Sequence, residues 1–163
     1  MDIQVLQHIE SLPNAFGCGR VSVGGVCRIA VSSSVNADKQ RIFQLLTIPE
    51  YIEAWLRLPG DYGLQNFVSR TNKGFRIEVG GSPATAMTIT GLYMILRRSK
   101  LRFTWHKQNG EDEAPSLVMI RLHGEFARTR LCLDHIGLKS EKERVWHEKL
   151  WKASLDALSS LFK

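Results

Sequence analysis

Three short stretches near the end of the chain alternate apolar and polar residues with a period of two, and one long amphipathic segment follows them. The stretches are Leu101-Arg-Phe-Thr-Trp105, Leu117-Val-Met-Ile-Arg-Leu-His123 and Thr129-Arg-Leu-Cys-Leu-Asp-His135. That period sends successive side chains to opposite faces of a strand. If the segment from Lys107 to Ser116 joins a hairpin, Trp105 faces Val118, Phe103 faces Ile120 and Leu101 faces Leu122. Across the next turn, with Gly124 in it, Leu122 meets Leu131, Ile120 meets Leu133 and Val118 meets His135. This face is apolar except for His135. The other face carries Arg102, Thr104, His106, Arg121, Arg130 and Asp134, with Met119 and Cys132 as exceptions. A slip of one residue would bury the arginines, so burial of one face pins this register.

The segment from about Ser140 to Leu161 reads as a helix. Trp146, Leu150, Ala153, Ala157 and Leu161 recur at three- and four-residue steps, and Trp151, Leu155, Leu158 and Phe162 widen the stripe. Ser140 and Glu143 have the spacing of a capping box, and Glu141 and Glu143 suit the positive end of a helix. Gly137 fits a break between the last strand and this helix. An antiparallel sheet feeding such a helix predicts a helix that covers a curved sheet, with function between the two.

Composition sets the limits. A chain of 163 residues, 44% of them apolar, fits one domain with a core that needs neither disulfide nor metal. The net charge of +6 comes from 22 basic and 16 acidic residues. Its densest basic groups, Arg97-Arg98-Ser-Lys100-Leu-Arg102 and the Lys139, Lys142, Arg144 set, lack the aromatic interleaving of a single-strand binder. They read as solvated faces, and no nucleic-acid partner is expected. Cys18, Cys27 and Cys132 are odd in number and lack CxxC spacing, which predicts free thiols in a reducing cytoplasm. No apolar run approaches membrane-spanning length, and the first residues do not read as a secretory signal.

In chain order, Asp2 to Leu12 reads as a short helix ended by Pro13, and Asn14 to Gly25 as a glycine-rich lead-in; residues 1–25 form an extension and 26–163 the domain. Val26 to Val35 reads as a strand. A helix then starts at Asn36 or Asp38, and Thr47 caps a second short helix with Pro49 in its first turn. Leu64 to Arg70 and Gly74 to Gly80 read as a hairpin, and Gly80-Gly-Ser-Pro83 as the following turn. Ala84 to Leu96 is a long strand with Met87, Ile89, Gly91, Tyr93 and Ile95 on one face, where Gly91 suggests a bend or bulge.

Particular residues in this order resemble the START-like, or SRPBCC, superfamily, the helix-grip fold also seen in the birch-pollen allergen. Within it, the chain is similar to the bacterial branch named after the activator of heat-shock-protein ATPase. The resemblance is carried by Ile48-Pro-Glu-Tyr-Ile-Glu-Ala-Trp55, Leu101-Arg-Phe-Thr-Trp105, Thr129-Arg-Leu-Cys-Leu-Asp-His-Ile-Gly137 and Trp151-Lys-Ala-Ser-Leu-Asp-Ala-Leu158. The branch's Gly-Gly pair in the second strand is replaced by Leu64-Gln-Asn-Phe67, and Leu150 stands where a glycine is common. The resemblance implies an α+β fold: a curved antiparallel sheet of about seven strands wrapped around the C-terminal helix, with two short helices after the first strand. It also implies a cavity between sheet and helix.

The chemistry is sparse. His135 stands on the apolar face, where it would orient a ligand or act as acid or base; the plainer expectation is a histidine at the rim of the sheet, hydrogen-bonded or wet. His106 and His123 fall on the outer face, and His8 and His147 lie on helices. The chain has no HExxH or GxSxG motif, so no metal, cofactor or catalytic set is assigned. The expected ligand-binding residues are Phe75, Met87, Ile89, Tyr93, Phe103, Trp105, Leu133, His135 and Trp151. They would line an apolar cavity of a few hundred cubic ångströms and bind a small hydrophobic molecule. The alternatives are a protein-interaction module with a filled interior, or a cyclase- or hydrolase-type enzyme using His135 and Tyr93. Either a monomer or a homodimer is compatible with the sequence.

Overall fold

The computed structural model describes residues 27–60, 66–80, 86–108 and 114–163. The expected N-terminal helix and glycine-rich lead-in, Cys18 and the Gly80–Pro83 turn beyond Gly80 lie outside these residues. The elements run β1 (Cys27–Val35), α1 (Lys39–Thr47), α2 (Pro49–Trp55), β2 (Asn66–Arg70), β3 (Gly74–Val79), β4 (Met87–Arg97), β5 (Lys100–Gln108), β6 (Ser116–Glu125), β7 (Arg128–Leu138) and α3 (Glu141–Ser160). The strands form one seven-stranded antiparallel sheet in the order β1-β7-β6-β5-β4-β3-β2. Its apolar face curves around α3. The α+β helix-grip architecture read from the sequence is the one observed.

The β6–β7 pairing is as expected: Leu122 opposes Leu131, Ile120 opposes Leu133 and Val118 opposes His135. The β5–β6 pairing differs. Trp105 lies opposite Ser116, Phe103 opposite Val118 and Leu101 opposite Ile120. The slide is two residues, which leaves every side chain on its expected face. Alternation therefore selects a face but not a partner, because an even shift does not disturb it. The hairpin turn is tighter than expected, since pairing continues to Glu125 opposite Arg128. Gly124 is within β6, and Phe126, at φ 54°, makes the turn.

Two glycines have different roles from those expected. Gly137 does not break the strand. It lies within β7 at φ 88°, across from the irregularity between Cys27 and Arg28 of β1, and so supplies a bulge. Gly91 is not the bulge of β4, which falls between Tyr93 and Ile95. A β-carbon at Gly91 would lie 2.3 Å from Cζ of Phe75 and 2.6 Å from the Thr104 carbonyl oxygen. Space for the neighbouring ring, rather than bending, requires glycine there.

The helix boundaries follow local hydrogen bonding. Asp38 caps α1 by accepting from the Arg41 amide at 2.9 Å, and Ser140 caps α3 by accepting from that of Glu143 at 3.1 Å. Thr47 does not cap α2. It is the last residue of α1, and its hydroxyl donates back to the Phe43 carbonyl at 2.8 Å. Ile48 precedes α2 without a side-chain bond, and Pro49 presets its first turn.

The buried stripe of α3 is rotated from the expected one. It comprises Arg144, His147, Leu150, Trp151, Ser154, Leu155 and Leu158, whereas Ala153 and Leu161 are exposed and Trp146 is half-buried. Ser154 belongs to the stripe because its hydroxyl accepts from the Arg57 amide at 2.9 Å, which lets the chain leaving α2 lie close against α3.

Candidate functional site

Aromatic side chains from three strands and α3 converge inside the curve of the sheet. Phe75 of β3 meets Tyr93 of β4 at 5.8 Å and Phe103 of β5 at 5.4 Å between ring centroids, both edge-on. Trp105 continues the cluster to Trp151 of α3 at 5.0 Å. Edge-to-face packing of this kind is favourable beyond the area buried. On the other side, α2 and the residue after it contribute Ile52, Trp55 and Leu56. The Trp55 indole is fixed by donating to the Leu45 carbonyl at 2.7 Å.

These groups surround an apolar void of about 30 Å³. That volume holds about two water molecules and is well under the few hundred cubic ångströms anticipated. The interlocked rings fill the rest. Of the expected ligand-binding residues, Phe75, Tyr93, Phe103, Trp105 and Trp151 line the void. Met87, Ile89 and Leu133 are buried in the core but do not line it, and neither does His135. The α2 wall and Ile77 are not among the expected ligand-binding residues, because periodicity along one element does not report what packs across it. The Tyr93 hydroxyl is the one side-chain oxygen among the lining groups. Burial holds its phenol above the ordinary pKa, with Arg70 opposing weakly.

Beyond Trp105 lies a polar cluster. The Trp151 indole N–H donates to Nδ1 of His135 at 2.9 Å, and Nε2 of His135 is 2.7 Å from the Ser116 hydroxyl. An indole nitrogen is only a donor. Nδ1 of His135 is therefore the acceptor, and in the neutral ring the proton sits on Nε2 and is donated to Ser116. Ser116 in turn donates to the Trp105 carbonyl at 3.0 Å. The Trp105 indole N–H donates to Nε2 of His147 at 3.1 Å. By the same logic the His147 proton is on Nδ1, which donates to the Glu143 carbonyl at 2.7 Å. Two indoles thus set the tautomers of two imidazoles, whose centroids are 4.7 Å apart.

Burial, followed by the charge of His147, pushes His135 well below its ordinary pKa. Burial also lowers His147, with the Glu143 carbonyl and carboxylate opposing that and Lys107 adding to it. Both rings are thereby held neutral near pH 7. The Ser116–His135 pair has the wrong polarity for a nucleophile and its base: a base must accept the hydroxyl proton, and this ring donates to the hydroxyl. His135 is hydrogen-bonded through both nitrogens, and it lies fully enclosed rather than at the rim of the sheet. The sequence reading left His147 unassigned. It lies four residues before Trp151, on the same helix face, so a stripe anchored on Trp151 instead of Trp146 would have found it.

Among the described residues no group of three or more His, Cys, Asp or Glu side chains is arranged to hold a metal. No helix among them is long and apolar enough to cross a membrane.

The family model described as activator of Hsp90 ATPase homolog 1-like protein matches residues 36–163. Among solved structures, CalU16 from Micromonospora echinospora superposes with a TM-score of 0.61 at 20% identity, over 89% of this chain and 83% of that one. Protein CV1439 from Chromobacterium violaceum gives 0.64 at 18% identity, over 83% and 96%. A protein from Arthrobacter aurescens gives 0.66 at 14% identity, over 83% and 85%. These likenesses concern the fold. A search of curated proteins finds no match.

Proposed function

Because the chain belongs to the activator of Hsp90 ATPase homolog 1-like family, whose fold closes a sheet around a helix, we propose that it binds a small apolar molecule at that closure. The observation that carries this reading is the void lined by Phe75, Tyr93, Phe103, Trp105 and Trp151, an apolar chamber with one hydroxyl to orient a guest. At about 30 Å³ the chamber is too small for such a molecule as it stands, so a ligand would enter by displacing a ring. Flat aromatic compounds, able to replace the edge-on contacts they interrupt, fit it best.

The test is binding of the neutral fluorescent probe N-phenyl-1-naphthylamine, with native mass spectrometry of the freshly purified protein. Ile52→Phe fills the chamber from the α2 side and is expected to abolish probe binding with the melting temperature maintained. Unchanged binding by that variant would remove the chamber as the site.

A second reading, a protein-interaction module, is favoured by Leu92, Met94 and Leu96. These stand about half exposed, at 54%, 48% and 49%, in the second half of β4 and lead into Arg97 and Arg98. That basic border suits an acidic partner. Absence of any small-molecule binding, with capture of an acidic peptide lost on Leu96→Asp, would favour it.

A further inference from the structure

The chamber and the polar cluster share a wall. Trp105 lines the void with its ring, while its indole N–H ends on Nε2 of His147 at 3.1 Å. We propose that His147 is an acid-sensitive latch on the chamber: a proton on its Nε2 expels the Trp105 indole N–H, freeing that ring to move aside and admit a ligand. The inference rests on the apolar-ligand reading above and names its regulation.

Neutral His147 has one unprotonated nitrogen, and Trp105 occupies it. Once protonated, the imidazolium turns a second N–H toward the indole N–H, and the bond becomes a donor–donor contact. The groups facing the two imidazoles determine which takes a proton first. From α3, the Glu143 carboxylate lies 3.4 Å from Nδ1 of His147 and favours the cation. From β5, Lys107 disfavours it, but Lys107 is itself tied to Glu143 at 3.2 Å and lies over the Trp146 ring. From β7 comes His135, while β6 contributes the uncharged Ser116 and β1 places Ile29 opposite His135.

A second small void, about 20 Å³, lies against His147, Ser116, Lys107 and Glu143, with His106 and Lys139 also on its wall. It has room for about one water molecule, enough to carry a proton to the ring. His135 does not itself line this void, and among the described residues its hydrogen-bond partners, Trp151 and Ser116, include no carboxylate. At a centroid separation of 4.7 Å, a charged His147 also disfavours a second proton there. The latch therefore takes one proton.

Indole resonances of ¹⁵N-labelled protein, assigned with Trp105→Phe, test the latch without a ligand. Probe binding tests the gate. From about pH 7.5 to about pH 5, the Trp105 N–H resonance is expected to shift or broaden, and affinity for N-phenyl-1-naphthylamine to rise about tenfold. His147→Gln offers an acceptor that does not titrate, and both responses should become flat in pH. A Trp105 resonance that stays fixed across this range, with native circular dichroism, overturns the latch. A resonance that moves while the probe binds equally at both pH values overturns the gate. If the resonance moves and the probe binds at neither pH, the apolar-ligand reading fails and its regulation falls with it, while the motion itself stands.

Discussion

Asp134 and His135 are neighbours on β7, point to opposite faces of the sheet and are both almost wholly buried, at 3% and 0% exposure. The two faces make a polar group tolerable in different ways. On the outer face Asp134 is held by the guanidinium groups of Arg28 and, at 2.8 Å, Arg121. The alternation puts Asp134 on the outer face, and there the two arginines close over it. On the inner face His135 meets a donor from Trp151 and an acceptor in Ser116 and remains neutral. A buried charge needs opposite charge, and a buried neutral ring needs only correctly oriented hydrogen bonds. The outer solution should therefore respond to salt and the inner one to pH.

The largest effect should come from removing the inner face's anchor. Trp151→Ala deletes a fully buried ring and the donor to His135, and should cost about 3–5 kcal/mol in denaturant unfolding. A loss under about 1 kcal/mol would mean the junction is loosely packed. His135→Phe keeps the volume but leaves the Trp151 indole N–H without an acceptor, for about 2–3 kcal/mol. A variant as stable as the parent would show that the indole finds another partner.

Acid comes next. Both histidines are held below their ordinary pKa near 6.5, so the unfolded chain binds more protons than the folded one as pH falls below that value. Their contribution is complete above about pH 6.5 and declines on acidification, by at most about 1.4 kcal/mol per pH unit for each group. Melting temperatures should fall below pH 6.5 in the parent and fall less in His147→Gln. Equal slopes in the two proteins would remove His147 from the account. The smallest effect is expected outside. Asp134→Asn should cost about 1 kcal/mol, because both arginines remain partly open to water. The difference should shrink in about 1 M salt, and a salt-independent loss would show that the triad acts through shape instead of charge.

The sequence carried the fold well and the site in part. Strands, helices and the inward face were legible because each follows from a period. The β5–β6 partners were not, since a slide of two residues leaves the alternation of Leu101, Phe103 and Trp105 intact. The orientation of α3 was misjudged for a related reason. With apolar residues on several sides, Trp146 and Trp151 both offered a stripe, and the buried His147, Arg144 and Ser154 did not register as core. The size of the chamber was illegible because it depends on how Phe75, Phe103, Trp105 and Trp151 interlock, which no one strand's pattern specifies. The tautomers of His135 and His147 required distances.

The missing side chain at Gly91 sets a direction for change in this protein. Its vacant space is already taken from two sides, by the Phe75 ring and by the Thr104 carbonyl. Trimming the ring relieves only one of them, because the carbonyl belongs to the backbone of the next strand. Descent or design can widen the chamber through position 75, while position 91 is a fixed post whose glycine outlasts whatever happens to its neighbour. A lineage that exchanges ligands should leave its record at residue 75 and none at residue 91.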